Sequence, residues 1–310
     1  MANIGTKTPA VKLMIMKPNM LKIPSIPRVV RDAKDGKNYG YPPSPVEKQD
    51  DIIPMSFFEF WYVNVKKEIT QKRYGFDNDP YINSQSKDQS FSILRLRKSL
   101  KKLKLSEENV WKREQQRDQV ECPRVVMMIY YLICNSLDMI YKDKPIERFW
   151  FLETVARMPY FSYVATLHLY ETLGWWELDS QLKKKHYEEE MNETYHLKIM
   201  ESLGGNSKWW NRFLARHSAM VYYTVLLVLF MSSPRLAYLS SELLEMHAVD
   251  TYTEFYESNK IILKQLPPNK ECFEYFKYAE NLYDIFHQIS KDEYKHALNM
   301  RFVKKLPNRH

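Results

Sequence analysis

Beyond residue 90 apolar positions recur three or four residues apart, the period of a helix that turns one face to a core. Ile93, Leu96, Leu100 and Leu103 form such a stripe, while Arg95, Arg97, Lys98, Lys101, Lys102 and Lys104 fill the remaining faces. That pattern predicts a basic amphipathic helix, suited to an anionic bilayer surface or to an ordinary solvated face packed on a domain. Pro123 can open a helix over 124–141, with Asp143, Lys144 and Pro145 ending it. Further helices are predicted over 146–173, 180–203, 236–264 and 271–304, with an apolar one over 209–231. Gly174, Gly204-Gly205, Pro234 and Pro267-Pro268 punctuate them. The longest apolar run, 219–231, includes Thr224 and is shorter than the roughly 18 residues a spanning helix needs, so no crossing of a bilayer is expected.

Composition supports an all-α fold. Only 7 glycines stand against 22 tyrosines, 15 phenylalanines and 7 tryptophans, which means few tight turns and many bulky packing residues. With 45% hydrophobic side chains the 310-residue chain is too apolar to be disordered throughout. A net charge of +8 and a pI near 9.1 suit an anionic partner, nucleic acid or a membrane surface, but the basic run carries no recognisable nucleic-acid reader motif. Cys122, Cys134 and Cys272 are odd in number and lack CxxC spacing, so reduced structural thiols are expected.

Residues 1–31 carry six basic residues and no acid, and Pro9, Pro18, Pro24 and Pro27 forbid a long helix there. The segment reads as an organelle-targeting leader or as a disordered basic tail, and 32–54 as a linker. The expected division is a leader and linker over 1–55, a basic amphipathic segment over 56–118, and a helical domain over 119–306.

The chemistry lies in that last part. Glu193-Thr-Tyr-His196 and Glu293-Tyr-Lys-His296 are two Glu-x-x-His words, where 24 glutamates and 8 histidines would give roughly 0.6 by chance. Residues i and i+3 share a helix face, so each word aims a carboxylate and an imidazole at one place. Each word follows another helical glutamate, Glu153 by 40 residues and Glu245 by 48. Either interval can hold half a helix, a connection and half of an antiparallel partner, which lets all six groups meet at one level of a bundle. Phe149, Trp150, Phe151, Leu152, Val155 and Ala156 surround Glu153, a carboxylate costly to bury without a metal. Imidazole with carboxylate suits iron. Solvated glutamates beside core histidines remain the alternative that spacing alone leaves open.

The stretch Arg148-Phe-Trp-Phe-Leu-Glu-Thr-Val-Ala-Arg157 and the motifs Met-Pro-Tyr-Phe161, Tyr170-Glu-Thr-Leu-Gly-Trp-Trp176 and Asn192-Glu-Thr-Tyr-His196 resemble the plastid terminal oxidases of the alternative oxidase family. So do Met200-Glu-Ser-Leu-Gly-Gly-Asn206, Ser233-Pro-Arg-Leu-Ala-Tyr238, Glu242-Leu-Leu-Glu-Met-His-Ala248, Asp250-Thr-Tyr252, Glu280-Asn-Leu-Tyr-Asp284 and Asp292-Glu-Tyr-Lys-His296. The resemblance runs over about residues 120 to 300. It implies a ferritin-like four-helix di-iron bundle with extra helices, held in one membrane leaflet. It also implies two iron ions per chain, bound by Glu153, Glu193, His196, Glu245, Glu293 and His296. The third motif offers Glu242 as well, but the family's glutamate lies seven residues before a tyrosine, here Tyr252, which selects Glu245. Tyr252 would act as redox or proton donor, or would be a buried tyrosine hydrogen-bonded to Asp292 or another carboxylate. Asn192 and Asp292 would orient the histidines. Arg148, Leu152 and Thr251 match positions associated with quinol, although Arg148 also suits a salt bridge.

The implied reaction oxidises plastoquinol, or ubiquinol, and reduces dioxygen to water on a plastid thylakoid membrane, or on a mitochondrial inner membrane. The resemblance is compatible with a homodimer and gives no role to nucleic acid. Only Cys272 to Ala279 fill the place where plastid members carry an extra segment, while the third motif lacks the consecutive glutamates of mitochondrial members. A di-iron hydroxylase or desaturase shares the ligand pattern, and a non-catalytic basic membrane protein is the reading furthest from catalysis.

Overall fold

Helix follows helix because the apolar stripes and the breakers between them alternate as the sequence predicts. The computed structural model describes residues 55–74, 87–176 and 180–305, so the expected leader and linker, apart from Met55, lie outside the described residues. The described residues fall within one compact unit, Lys48–His310. Among them are α1 (Phe57–Tyr74), α2 (Lys87–Leu100), α3 (Glu107–Gln116), α4 (Arg124–Ile140), α5 (Pro145–Thr172), α6 (Gln181–Ser202) and α7 (Trp209–Ser232). There follow α8 (Pro234–Ser258), the short α9 (Lys260–Leu263) and α10 (Lys270–Tyr275), and α11 (Leu282–Lys304), with no strand among the described residues. The class is all-α, as expected.

Two predicted helices break where side chains offer the backbone another partner. The helix predicted over 236–264 stops at Ser258, because Asn259 donates from Nδ2 to the Phe255 carbonyl at 2.8 Å and to the Lys104 carbonyl at 2.7 Å. That draws the chain out of line. The helix predicted over 271–304 divides into α10 and α11. Asn269 caps the first through the Cys272 N–H at 3.1 Å and Asn281 caps the second through the Asp284 N–H at 3.1 Å.

The basic helix is also corrected. α2 ends at Leu100, and Arg97, expected on the charged face, is 7% exposed and donates to the Ser202 and Glu201 carbonyls at 3.1 and 3.0 Å. It satisfies the C-terminal carbonyls of α6 rather than facing solvent. Leu100 and Leu103 are buried, while Arg95, Lys98, Lys101, Lys102 and Lys104 stay exposed.

α5 packs most extensively on α6 and α7, and α8 on α11. The core consists of stacked layers. One holds Phe149, Ile199, Met200, Tyr252, Phe286 and Ile289. Another, toward the opposite ends of the same helices, holds Tyr160, Tyr163, Tyr238, Met300 and Val303. All three cysteines are free, with Cys134 and Cys272 buried. α7 spans 24 residues with a mean hydropathy of 1.5 over its best window, so by length and composition it is able to cross a membrane, contrary to the estimate from the run 219–231. An uninterrupted run underestimates a helix whose apolar average survives Thr224. Its first turn is anchored in protein, where Asn211 is buried and donates to the Gly205 and Glu147 carbonyls at 2.8 and 3.0 Å.

Candidate metal centre

Between the two aromatic layers lies a polar one. Glu153 projects from α5, Glu193 and His196 from α6, Glu245 from α8, and Glu293 and His296 from α11, and each is 5% exposed or less. They gather into two groups whose ligating atoms lie within 4.8 Å of one another: Glu153, Glu193, His196 and Glu293, and Glu193, Glu245, Glu293 and His296. Glu193 and Glu293 belong to both. Each Glu-x-x-His word therefore supplies one carboxylate shared by the two groups and one imidazole private to one of them.

His296 Nδ1 stands 2.7 Å from Glu193 Oε1, and His196 Nδ1 stands 3.1 Å from Glu293 Oε1 and 3.6 Å from Glu153 Oε2. Close as they are, these atoms are not aligned as hydrogen bonds. Glu153 Oε2, both oxygens of Glu193, both nitrogens of His196, Glu293 Oε1 and His296 Nδ1 have no hydrogen-bond partner. Buried polar atoms are rarely left so, because each costs about 1–3 kcal/mol or more when charged. Lone pairs converging on a common point without hydrogen bonds are what cation ligands require, and four carboxylates balance two divalent ions. The residues fit two iron ions.

Without cations the groups perturb one another. Burial, then the charge of Glu193, raises the Glu153 pKa well above the ordinary carboxylate value; burial and Glu293 do the same to Glu245. Burial opposes the charged form of His196, but the adjacent carboxylates of Asp292, Glu153, Glu193 and Glu293 outweigh it and raise the value. His296 is likewise pushed up to about 9, with Glu193 the main cause against burial.

Other expected residues take definite places. Glu242 is outside both groups and fully engaged, accepting from Arg301 Nε and Lys304 Nζ at 2.7 Å each. The Tyr252 hydroxyl donates to Glu153 Oε1, and burial with the Glu153 charge holds its pKa far above the ordinary phenol value. Asp292 Oδ2 lies 3.7 Å from His196 Nε2 and its carboxylate accepts from Lys295 at 2.9 Å. Asn192 is half-buried, and no hydrogen bond joins it to the cluster among the described residues.

Tyr160 is the residue that sequence reasoning missed: its hydroxyl donates to Glu245 Oε1 at 2.7 Å, a counterpart to Tyr252 on the other group. Its place seven residues after Glu153, two turns along one face, was the available signal.

Of the quinol candidates, Leu152 is half-buried, whereas Arg148 and Thr251 are 0% exposed. The Arg148 guanidinium meets Glu107 at 2.6 Å and Asp138 at 2.7 Å, and Thr251 donates to the His247 carbonyl at 2.7 Å. Burial outweighs the ion pair with Arg148, and with the added charge of Asp138 it pushes the Glu107 pKa up to about 7. The folded protein thus holds this proton more tightly than the unfolded chain, with its value near 4.5. The contribution to stability is complete below about pH 4.5 and is lost as pH rises through about 7. Thermal unfolding of Glu107→Gln is expected to gain on the wild type as pH is raised from about 5 to about 7.5. Parallel profiles would show that Glu107 is ionised throughout.

A family model for alternative oxidase matches residues 100–304. Over 190 residues the chain is 41% identical to ubiquinol oxidase 4, chloroplastic/chromoplastic, of Arabidopsis thaliana, covering 54% of each chain. Over 148 residues it is 30% identical to a mitochondrial ubiquinol oxidase of Mangifera indica, covering 47% of this chain and 46% of that one. Mitochondrial ubiquinol oxidase 2 of Glycine max is 28% identical over 162 residues, 51% of this chain and 48% of that one. The chain spans about half the length of the curated relatives it matches. No solved structure matches.

Proposed function

The chain belongs to the alternative oxidase family, and from that premise we propose that it is a quinol:oxygen oxidoreductase, oxidising plastoquinol and reducing dioxygen to water. Two quinols would give up four electrons and four protons to one dioxygen, yielding two waters. The observation that carries the reading is the pair of carboxylate–imidazole groups that share Glu193 and Glu293 and leave their polar atoms without hydrogen bonds.

Glu153 and His196 would hold one iron, Glu245 and His296 the other, and Glu193 and Glu293 would serve both. Iron bound there would supply the one-electron redox changes that link quinol to dioxygen. Tyr252 and Tyr160 fix the outer carboxylates, each through a hydroxyl donated to Oε1. The raised pKa of Tyr252 keeps it a neutral phenol that holds its proton beside Glu153, and we assign it the role of redox or proton donor on its hydrogen bond to that carboxylate. Asp292 would steady the His196 ring from its Nε2 side. The aromatic layers above and below exclude water. We place the catalytic domain at 119–306, which includes all four contributing helices.

Plastoquinol is preferred to ubiquinol because identity to the chloroplastic relative exceeds that to the mitochondrial ones, 41% against 30% and 28%. The same difference favours a plastid, thylakoid location over the mitochondrial inner membrane. The apolar side chains Val125, Met128 and Leu132 of α4, and Val221, Val225 and Val228 of α7, are more than half exposed. We propose that they enter one leaflet of the bilayer, where quinol dissolves. Purified protein is expected to hold two irons and to consume oxygen faster with a plastoquinol than with a ubiquinol analogue. Iron-free protein inert toward every quinol would refute the assignment, and oxygen inserted into an organic product would replace it by a hydroxylase.

A further inference from the structure

On the quinol oxidase reading, a quinol held against Arg148, Leu152 and Thr251 lies away from bulk water, since Arg148 and Thr251 are 0% exposed. Its hydroxyl protons then need a defined way out. Arg148 itself touches a group that reaches the surface: its Nη1 lies 2.6 Å from Glu107 Oε2, and the Glu107 side chain is 24% exposed where that of Arg148 is 1% exposed. Resting on the quinol oxidase reading, we propose that Glu107 accepts a hydroxyl proton from the quinol on Arg148 and passes it to solvent.

The guanidinium keeps donors for such a ligand. Among the described residues its Nε has no hydrogen-bond partner, and Nη2 meets only His247 Nε2, at 3.4 Å. A quinol oxygen that accepts from this guanidinium is a neighbour, on one planar fork, of the carboxylate that accepts from Nη1, so the quinol hydroxyl comes within hydrogen-bond reach of Glu107.

The charges favour the transfer. Glu107 of α3 faces Arg148 of α5 and Asp138 of α4, with His247 of α8 at the far edge of the guanidinium. Asp138 Oδ1 lies 2.7 Å from the same Nη1, so two carboxylates share one guanidinium and a single proton removes the excess negative charge. Asp138 is the less available of the two, because its Oδ2 already accepts from Trp111 Nε1 at 2.9 Å and its side chain is 14% exposed. Burial, opposed by the charge of Arg148 and helped by that of Asp138, pushes the Glu107 pKa up to about 7, where a carboxyl both takes and releases a proton near neutrality.

In the step the quinol O–H bond breaks, the proton forms an O–H bond on the Glu107 carboxylate, and the electron pair stays on the quinol oxygen. Oxidation then draws electrons from that anion toward the metal centre, and Glu107 yields its proton to water. α3 is fastened over α8 by Arg113 on Glu254 at 2.9 Å and Arg117 on Asp250 at 2.7 Å, which keeps the acceptor in place.

The test uses the full-length holoenzyme in liposomes with plastoquinol. Glu107 can accept only when ionised, so kcat is expected to rise between about pH 6 and about pH 8 with an inflection near 7. Glu107→Gln, which still accepts from Arg148 but takes up no proton, should lose that inflection and about tenfold or more in kcat, with KM changed less than about twofold and iron content intact. Glu107→Asp keeps a carboxylate and should retain an inflection and more activity than Glu107→Gln. A role in positioning Arg148 alone would reverse that order, because glutamine preserves the reach and the hydrogen bond. The reversed order, or the wild-type inflection in Glu107→Gln, would overturn the proposal. Infrared difference spectra read the proton without turnover: a protonated carboxyl band should titrate near pH 7 in the wild type, and its persistence in Glu107→Gln would also overturn the assignment. Wild-type holoenzyme inert toward every quinol would instead refute the oxidase reading, whatever the band shows.

Discussion

Glu193→Ala is expected to empty both halves of the candidate metal centre at once. Glu193 belongs to both ligand groups, neither of its oxygens has a hydrogen-bond partner, and His296 Nδ1 lies only 2.7 Å away. Alanine removes a negative charge and a shared donor from each group. Iron content should fall below about a tenth of the wild-type value and oxygen uptake with quinol by more than about 100-fold, beyond the loss typical of a supporting residue. Folding should survive, because the change removes a buried carboxylate that raises the pKa of Glu153 and Glu245. Helix content measured by circular dichroism checks that point. Glu242→Gln is the contrasting variant. It should keep its iron and turnover but lose about 1–3 kcal/mol of stability, since Arg301 and Lys304 lose their charged acceptor. Normal iron in Glu193→Ala would refute Glu193 as a shared ligand, and lost iron in folded Glu242→Gln would return Glu242 to the ligand set in place of Glu245.

The largest expected effect on the fold itself comes from Gly205→Ala. A Cβ at Gly205 would overlap Trp150 Cβ and sit 2.8 Å from the Ile146 carbonyl oxygen. The obstacles are backbone and the root of a buried side chain, neither of which can swing aside. The turn that follows α6 would have to move away from the first turns of α5, just before Glu153, and the cost should reach about 3 kcal/mol or more. The measurable result is a fall in thermal midpoint, because the start of α5 loses its close seat on the turn after α6. A midpoint within about a degree of the wild type would mean that this approach is looser than the geometry indicates.

Gly204 next to it has φ +98°, and its own Cβ would meet the Arg97 side chain at 2.8 Å. The sequence marks Gly204-Gly205 as a break between helices. That the pair is also the seat on which α5 and Arg97 rest depends on residues about fifty and a hundred positions earlier in the chain, and no local pattern carries that information.

The same contrast holds for the rest of the molecule. Helices and their stripes were legible because the 3.6-residue period is a local property, as were the two Glu-x-x-His words, whose i, i+3 spacing places both groups on one face. The ends of α8 and α11 were not, because Asn259 and Asn281 look like ordinary interior residues until their side chains meet particular backbone groups. Arg97 and Arg148 counted as charges on the sequence, and only the neighbouring carbonyls and carboxylates made burial of either affordable in free energy.

By itself, then, the sequence determined that this chain is all-α and that four of its helices carry six groups suited to iron. The choice between the two glutamates of the third helix came from the family resemblance, through the distance to Tyr252, and not from periodicity. Tertiary structure decided which of them faces the other ligands. On antiparallel α8 and α11, Glu245 stands level with Glu293 and His296, while Glu242, one turn earlier, stands level with Arg301 and Lys304. The two lie on nearly the same helix face, so periodicity cannot separate them. Only the register between two helices can, and that register is set by the packing of their apolar layers.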